Sequence, residues 1–130
     1  MQQLPEFALS EFKKASASSP SQNCVTIARV DGFTAIRDDK MPDPTGRVPH
    51  EQLIVLTDDQ FDDFQHAVRA GRTATAHLAL TRRADGMYAL RAGSGQPVPG
   101  VELLFDHAEI AAFRSGILAD EFVLRPALAA

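Results

Sequence analysis

Asp31-Gly32-Phe33-Thr34-Ala35-Ile36-Arg37 returns later in the chain as Asp85-Gly86-Met87-Tyr88-Ala89-Leu90-Arg91, and the reading of the fold rests on that return. A second segment, Leu56-Thr57-Asp58-Asp59-Gln60-Phe61-Asp62-Asp63-Phe64, comes back as Phe105-Asp106-His107-Ala108-Glu109-Ile110-Ala111-Ala112-Phe113. The first pair lies 54 positions apart (31 to 85) and the second 49 (56 to 105), so the connection between the matched segments is five residues shorter in the second copy. Each copy has about fifty residues, a length at which a single core is marginal. Two such units laid against each other bury each other's apolar face, and the halves are expected to fold as one cooperative unit.

Each copy reads as three strands and a helix. In the first, Val25 and Ile27 alternate with Thr26 and Ala28, Asp31-Gly32 supplies a hairpin turn, and Phe33 and Ala35 continue the alternation. The apolar run Leu53-Ile54-Val55-Leu56 predicts a third, more buried strand. Thr57 and Gln60 form a capping box flanked by the staple pair Leu56 and Phe61; Phe61, Phe64 and Val68 share one helical face, and Gly71 marks the stop. The second copy repeats each device with other residues: Leu78 and Leu80, the Asp85-Gly86 turn, Met87 and Ala89, a strand from Val101 to Phe105, and a capping box of Asp106 and Glu109. Its staple is Phe105 with Ile110, and its helix face is Ile110, Phe113 and Ile117, with Pro126 limiting further helix.

The expected organisation is an arm at 1–22, whose aromatic residues dock, a first unit at 23–72, a second at 73–122 and an apolar tail at 123–130. The fold class is α+β: two repeated β-β-β-α units with antiparallel strands sharing one core, related by a pseudo-two-fold. One sheet, two sheets or a partly closed barrel all fit the pattern.

Net charge and composition narrow the function. A charge of −4 lacks the basic footprint that displaces counterions from a phosphate backbone, so direct nucleic-acid binding is not expected. A single cysteine, Cys24, excludes an intrachain disulfide and a cysteine-based structural zinc site, and it reads as a packed apolar residue. The histidines His50, His66, His77 and His107 lack ligand spacing, and no cofactor is expected. No apolar stretch reaches membrane-spanning length and the start does not read as a signal peptide, so the expectation is a cytoplasmic protein without membrane attachment.

Two charged clusters stand out. Asp58, Asp59, Asp62 and Asp63 lie in the first turns of a helix, where the dipole favours carboxylates, or else they meet a cation or a basic partner. Arg37, Asp38, Asp39 and Lys40 close a strand before a loop of a dozen residues that holds three prolines. They form either an internal ion-pair network or a surface that binds a partner. No nucleophile with a base, phosphate-binding glycine loop or framed carboxylate pair is recognisable, so no catalytic residue is assigned.

Residues 12–71 also carry Phe12-Lys13-Lys14, Asn23-Cys24-Val25, Arg37-Asp38-Asp39-Lys40 with Pro42, and a helix ending Val68-Arg69-Ala70-Gly71. In order and rough spacing this resembles the domain-of-unknown-function 397 family of small actinobacterial proteins, with the second unit similar to a degenerate member. Phe12 and Phe61 stand where the family usually has tryptophan. The resemblance implies a non-enzymatic accessory regulator acting with a helix-turn-helix transcription regulator in development or secondary metabolism. On that reading Arg37, Asp38, Asp39, Lys40, Phe12, Lys13 and Lys14 bind the partner, and the protein is a monomer or weak homodimer. The alternative is a small-ligand sensor or enzyme with its site between the two units.

Overall fold

The computed structural model of the chain describes residues 4–16, 25–41 and 47–123. Asn23, Cys24, Pro42 and the tail from Leu124 lie outside the described residues. The fold is α+β, with two antiparallel sheets and two helices. A four-stranded sheet runs in the order β1 (Lys13–Lys14), β2 (Val25–Val30), β3 (Phe33–Asp38) and β4 (Ile54–Thr57), followed by α1 (Asp58–Arg69). A three-stranded sheet, β5 (Leu78–Arg82), β6 (Tyr88–Ala92) and β7 (Glu102–Phe105), leads into α2 (His107–Leu118).

The two offsets found in the sequence recur in the strand register. Thr34, Ala35 and Ile36 pair with Leu56, Val55 and Ile54; Tyr88, Ala89 and Leu90 pair with Phe105, Leu104 and Leu103. Residues 54 apart on the middle strand therefore face residues 49 apart on the last. The five-residue difference falls in the loop between them, where the pairing does not register it.

Identical Asp-Gly dipeptides turn the two hairpins differently. Asp31 and Gly32 both take positive φ, 51° and 87°, and join Val30 directly to Phe33, the two-residue connection whose twist suits paired strands. In the second hairpin only Gly86 is left-handed. The Gly86 amide donates to Arg83 O at 3.1 Å and the Arg83 amide to Met87 O at 2.8 Å, which makes a three-residue loop with a bulge.

Both helices start as the sequence predicts. Thr57 Oγ1 accepts from the Gln60 amide at 3.2 Å while Gln60 Oε1 accepts from the Thr57 amide at 3.0 Å, and Asp106 with Glu109 does the same at 2.8 and 3.0 Å. The stops are also alike. Gly71 donates to Val68 O and Arg72 to Ala67 O; 49 positions on, Asp120 donates to Ile117 O and Glu121 to Gly116 O. Asp120 takes the left-handed conformation, φ 60°, that glycine supplies in the first helix. The second helix thus ends at Leu118, well before Pro126.

One apolar cluster draws on both units, from Ile27, Ile36, Leu56, Phe61 and Val68 to Leu80, Leu90, Phe105, Ile110 and Ile117. Phe64 and Phe113, equivalent at the 49-residue offset, stack across its middle with centroids 6.4 Å apart and ring planes at 16°. A second cluster covers the opposite face of the larger sheet. The arm lays Phe7 there beside Phe33, Ala35, Val48 and Val55, and the Val48 amide donates to Phe7 O at 2.8 Å. Every residue of β3 is consequently buried.

Two predictions follow from this packing. Phe64→Ala and Phe113→Ala should each lower unfolding free energy by about 3–5 kcal/mol in denaturant titration, as for other buried aromatic truncations. Gly116→Ala, in mid-helix, should destabilise by about 1–3 kcal/mol although alanine is the better helix former, because an added Cβ comes within 2.8 Å of both Ala15 Cβ and Phe122 Cε2.

Candidate functional site

The Arg37–Lys40 segment folds as a turn at the end of β3, and it directs its charge inward. Asp38 Oδ1 accepts the Lys40 amide at 2.9 Å and Asp38 O accepts the Met41 amide at 3.1 Å. Arg37 is completely buried; its Nη2 donates to Met41 O at 3.0 Å and its Nη1 lies 3.6 Å from Asp39 Oδ1. Arg37, expected at a partner-binding surface, thus lies beneath its own turn with its guanidinium out of solvent. Asp38 is buried too, while Asp39 keeps about a third of its side chain exposed.

Lys40 crosses to the second unit. Its Nζ donates to Glu109 Oε2 at 2.7 Å and to Leu104 O at 3.2 Å, stands 3.1 Å from Asp38 Oδ1, and lies 4.7 Å from the centre of the Phe105 ring. Burial alone pulls the Lys40 pKa down, but the hydrogen bonds its ammonium donates to Glu109 and Asp38, with the charges of those carboxylates, outweigh it and raise the pKa above the ordinary lysine value. Of the two roles open to this cluster, the geometry realises the internal ion-pair network for Arg37, Asp38 and Lys40.

A counterpart runs the other way. Gln96, in the glycine-rich loop after β6, is buried and donates through Nε2 to Gln60 Oε1 at 2.7 Å and to Val55 O at 3.2 Å, while its Oε1 meets His77 Nδ1 at 2.9 Å. Gln60 and Val55 correspond to Glu109 and Leu104 at the 49-residue offset. Each loop therefore grips the other unit at equivalent atoms. Sequence reasoning passed over Gln96. The available signal was that the two capping-box residues, Gln60 and Glu109, are equivalent and still have acceptor capacity to share.

Two of the four carboxylates on α1, Asp58 and Asp62, have structural partners. Arg29, whose side chain is almost buried, reaches Asp58 Oδ1 at 3.3 Å, Asp58 O at 3.1 Å, Asp62 Oδ1 at 2.9 Å and Phe122 O at 2.7 Å, with its guanidinium 5.2 Å from the Phe61 ring centre. Asp58 Oδ1 also accepts from Thr34 Oγ1 at 2.7 Å. Asp59 and Asp63 face solvent. Among the described residues no histidine, cysteine, aspartate and glutamate side chains group as a metal site.

The remaining sequence-designated residues lie together on the arm. Phe12 packs 6.3 Å from Phe7, Lys13 is exposed at the edge of the larger sheet, and Lys14 is half-buried. Beside Lys13 opens a cleft of about 180 Å³ between the arm, β2 and the segment after α2, lined by Glu11, Lys13, Ile27, Arg29, Glu121, Phe122 and Val123. Ser16 closes one side, donating from Oγ and from its amide to Glu121 at 2.5 and 2.8 Å, and these bonds hold the Glu121 carboxyl below its ordinary pKa. The junction between the units, by contrast, is filled by the Phe64–Phe113 stack and the two loop contacts.

No helix among the described residues is long and apolar enough to cross a membrane. The chain matches no protein-family model, no curated protein and no solved structure.

Removing the Lys40 ammonium should destabilise the protein without touching the arm. Lys40→Met should cost about 1–2 kcal/mol, less than a fully buried charged hydrogen bond because 35% of the side chain is exposed. A pKa raised on folding means the charged form favours the folded state. The wild-type advantage over Lys40→Met should thus be complete from neutral pH to the ordinary lysine value of 10.5 and disappear as the pH rises through the higher folded value. Denaturant melts of both proteins across alkaline pH check this.

Proposed function

We propose that the protein is a non-enzymatic accessory regulator that binds a protein partner, a helix-turn-helix transcription regulator, in actinobacterial development or secondary metabolism. Support for the class of partner comes from the similarity of residues 12–71 to the domain-of-unknown-function 397 family. The observation that carries the choice of surface is the separation of the family-like residues into two groups. Arg37, Asp38 and Lys40 spend their charge inside the molecule, whereas Phe12-Lys13-Lys14 lies on the arm at the rim of an open cleft. The partner meets the arm and that cleft, with Lys13 at the rim and Phe122 as the apolar wall. A net charge of −4 fits a protein that acts on a DNA-binding regulator without binding the nucleic acid itself.

The test is a pull-down with a helix-turn-helix regulator as bait, chosen from the genomic neighbourhood of the gene. Lys13→Glu and Val123→Arg together should weaken capture about tenfold or more, the effect of losing roughly 1.4 kcal/mol of contact. The melting temperature should barely move, because both side chains are exposed. Arg91→Ser, on the outer face of the smaller sheet, should leave capture unchanged. Binding that survives the arm substitutions, or that is lost with Arg91→Ser, would put the contact elsewhere.

A further inference from the structure

The faces that the two units turn to each other share one layout and differ in chemistry. On the first unit Lys40 is the donor, and Gln60 with the Val55 carbonyl is the acceptor; on the second Gln96 is the donor, and Glu109 with the Leu104 carbonyl is the acceptor. Between them stand Phe61, Phe64 and Val68 on one side and Ile110, Phe113 and Ile117 on the other. A face that carries both donor and acceptor is self-complementary in layout, as in a two-fold dimer. Its charge is not.

If a first unit met the first unit of another copy, Lys40 would face the neutral Gln60 and no carboxylate of its new partner. If a second unit met a second unit, Glu109, with 5% of its side chain exposed, would face Gln96 and no cation, and this would occur at both contacts. Only unlike units set the ammonium on the buried carboxylate and leave the two amides to pair.

We propose that Lys40, Gln60, Gln96 and Glu109 form a pairing code that makes the first unit accept the second and refuse a like unit from another copy of the chain. The device combines attraction at one latch with a penalty against the wrong assembly, and the penalty falls mainly on pairing of second units.

The full-length chain is the material for the test, unfolded, refolded at high concentration and sized by chromatography with light scattering. Gln60→Glu with Gln96→Lys gives an ion pair at both latches, and Lys40→Gln with Glu109→Gln gives an amide pair at both. Either set makes like units as acceptable as unlike ones while keeping both capping boxes, which use glutamate or glutamine equally. All four substitutions together move the ion pair to the opposite latch and restore the difference between units. The two uniform variants should show a dimer fraction several-fold above wild type, and the fourfold variant should return to the wild-type level. Should one uniform variant fail to refold, the other decides. Dimer fractions unchanged from wild type in the uniform variants, or raised equally in the fourfold variant, overturn the proposal.

Discussion

The third residue of each helix carries the structure, because it closes its own helix and holds the other unit with the same group. Glu109 has two oxygens and divides them, Oε1 accepting the Asp106 amide and Oε2 the Lys40 ammonium. Gln60 has one carbonyl oxygen and shares it, the Thr57 amide on one lone pair and Gln96 Nε2 on the other. A capping contact stabilises a helix by about 0.5–2 kcal/mol on its own. Here it also fixes where the opposite loop must lie, so helix initiation and the docking of the units become one event. The same loops finish the edges of the sheets. Val55 and Leu104 sit on β4 and β7, the last strands, and their carbonyls receive Gln96 and Lys40.

Around this junction the two units differ in what covers their outer faces. The arm lays Phe7 and its neighbours on the larger sheet, which is buried on both sides as a result. On the smaller sheet, Arg91 pairs with Glu102 in the open and keeps 63% of its side chain exposed. Arg37 and Arg91 hold equivalent places at the 54-residue offset, yet one is wholly buried and the other faces solvent. Arg37 lies under the turn that follows it, against Met41 O and Asp39, whereas Arg91 meets Glu102 on the neighbouring strand.

That contrast explains what the sequence could and could not disclose. The three strands and the helix of each unit, with their capping boxes, follow from spacing over a few residues, whereas the short strand Lys13–Lys14 that makes the first sheet four-stranded lies in an arm with no sustained period and was not expected. The left-handed stop at Asp120 was harder to read, because aspartate tolerates that conformation without announcing it as glycine does. The fate of Arg37-Asp38-Asp39-Lys40 was not readable at all from its own neighbourhood. An alternating charged turn before a loop looks the same whether its side chains point out or in, and here Arg37 folds under the turn against Met41 O while Lys40 is drawn across the junction by Glu109. Gln96 was missed for the opposite reason: a lone neutral side chain among glycines and prolines has no local pattern, and its role exists only through Gln60 and Val55.

The turn and the arm therefore exchange the parts that their sequences suggest. A charged turn ordinarily serves recognition, but Lys40 is held by two carboxylates, a carbonyl and a ring, and withdrawing it to meet a partner would leave Glu109 buried without its cation. A partner that engaged this turn would have to compensate that loss before gaining anything. The arm carries no such obligation at Lys13, whose ammonium stands exposed at the edge of the sheet beside apolar Ile27 and Phe122. A contact at the exposed Lys13 leaves the Lys40–Glu109 pair intact. On energetic grounds the turn is committed to pairing the units, whereas a contact made at Lys13 would draw on none of the bonds that Lys40 makes.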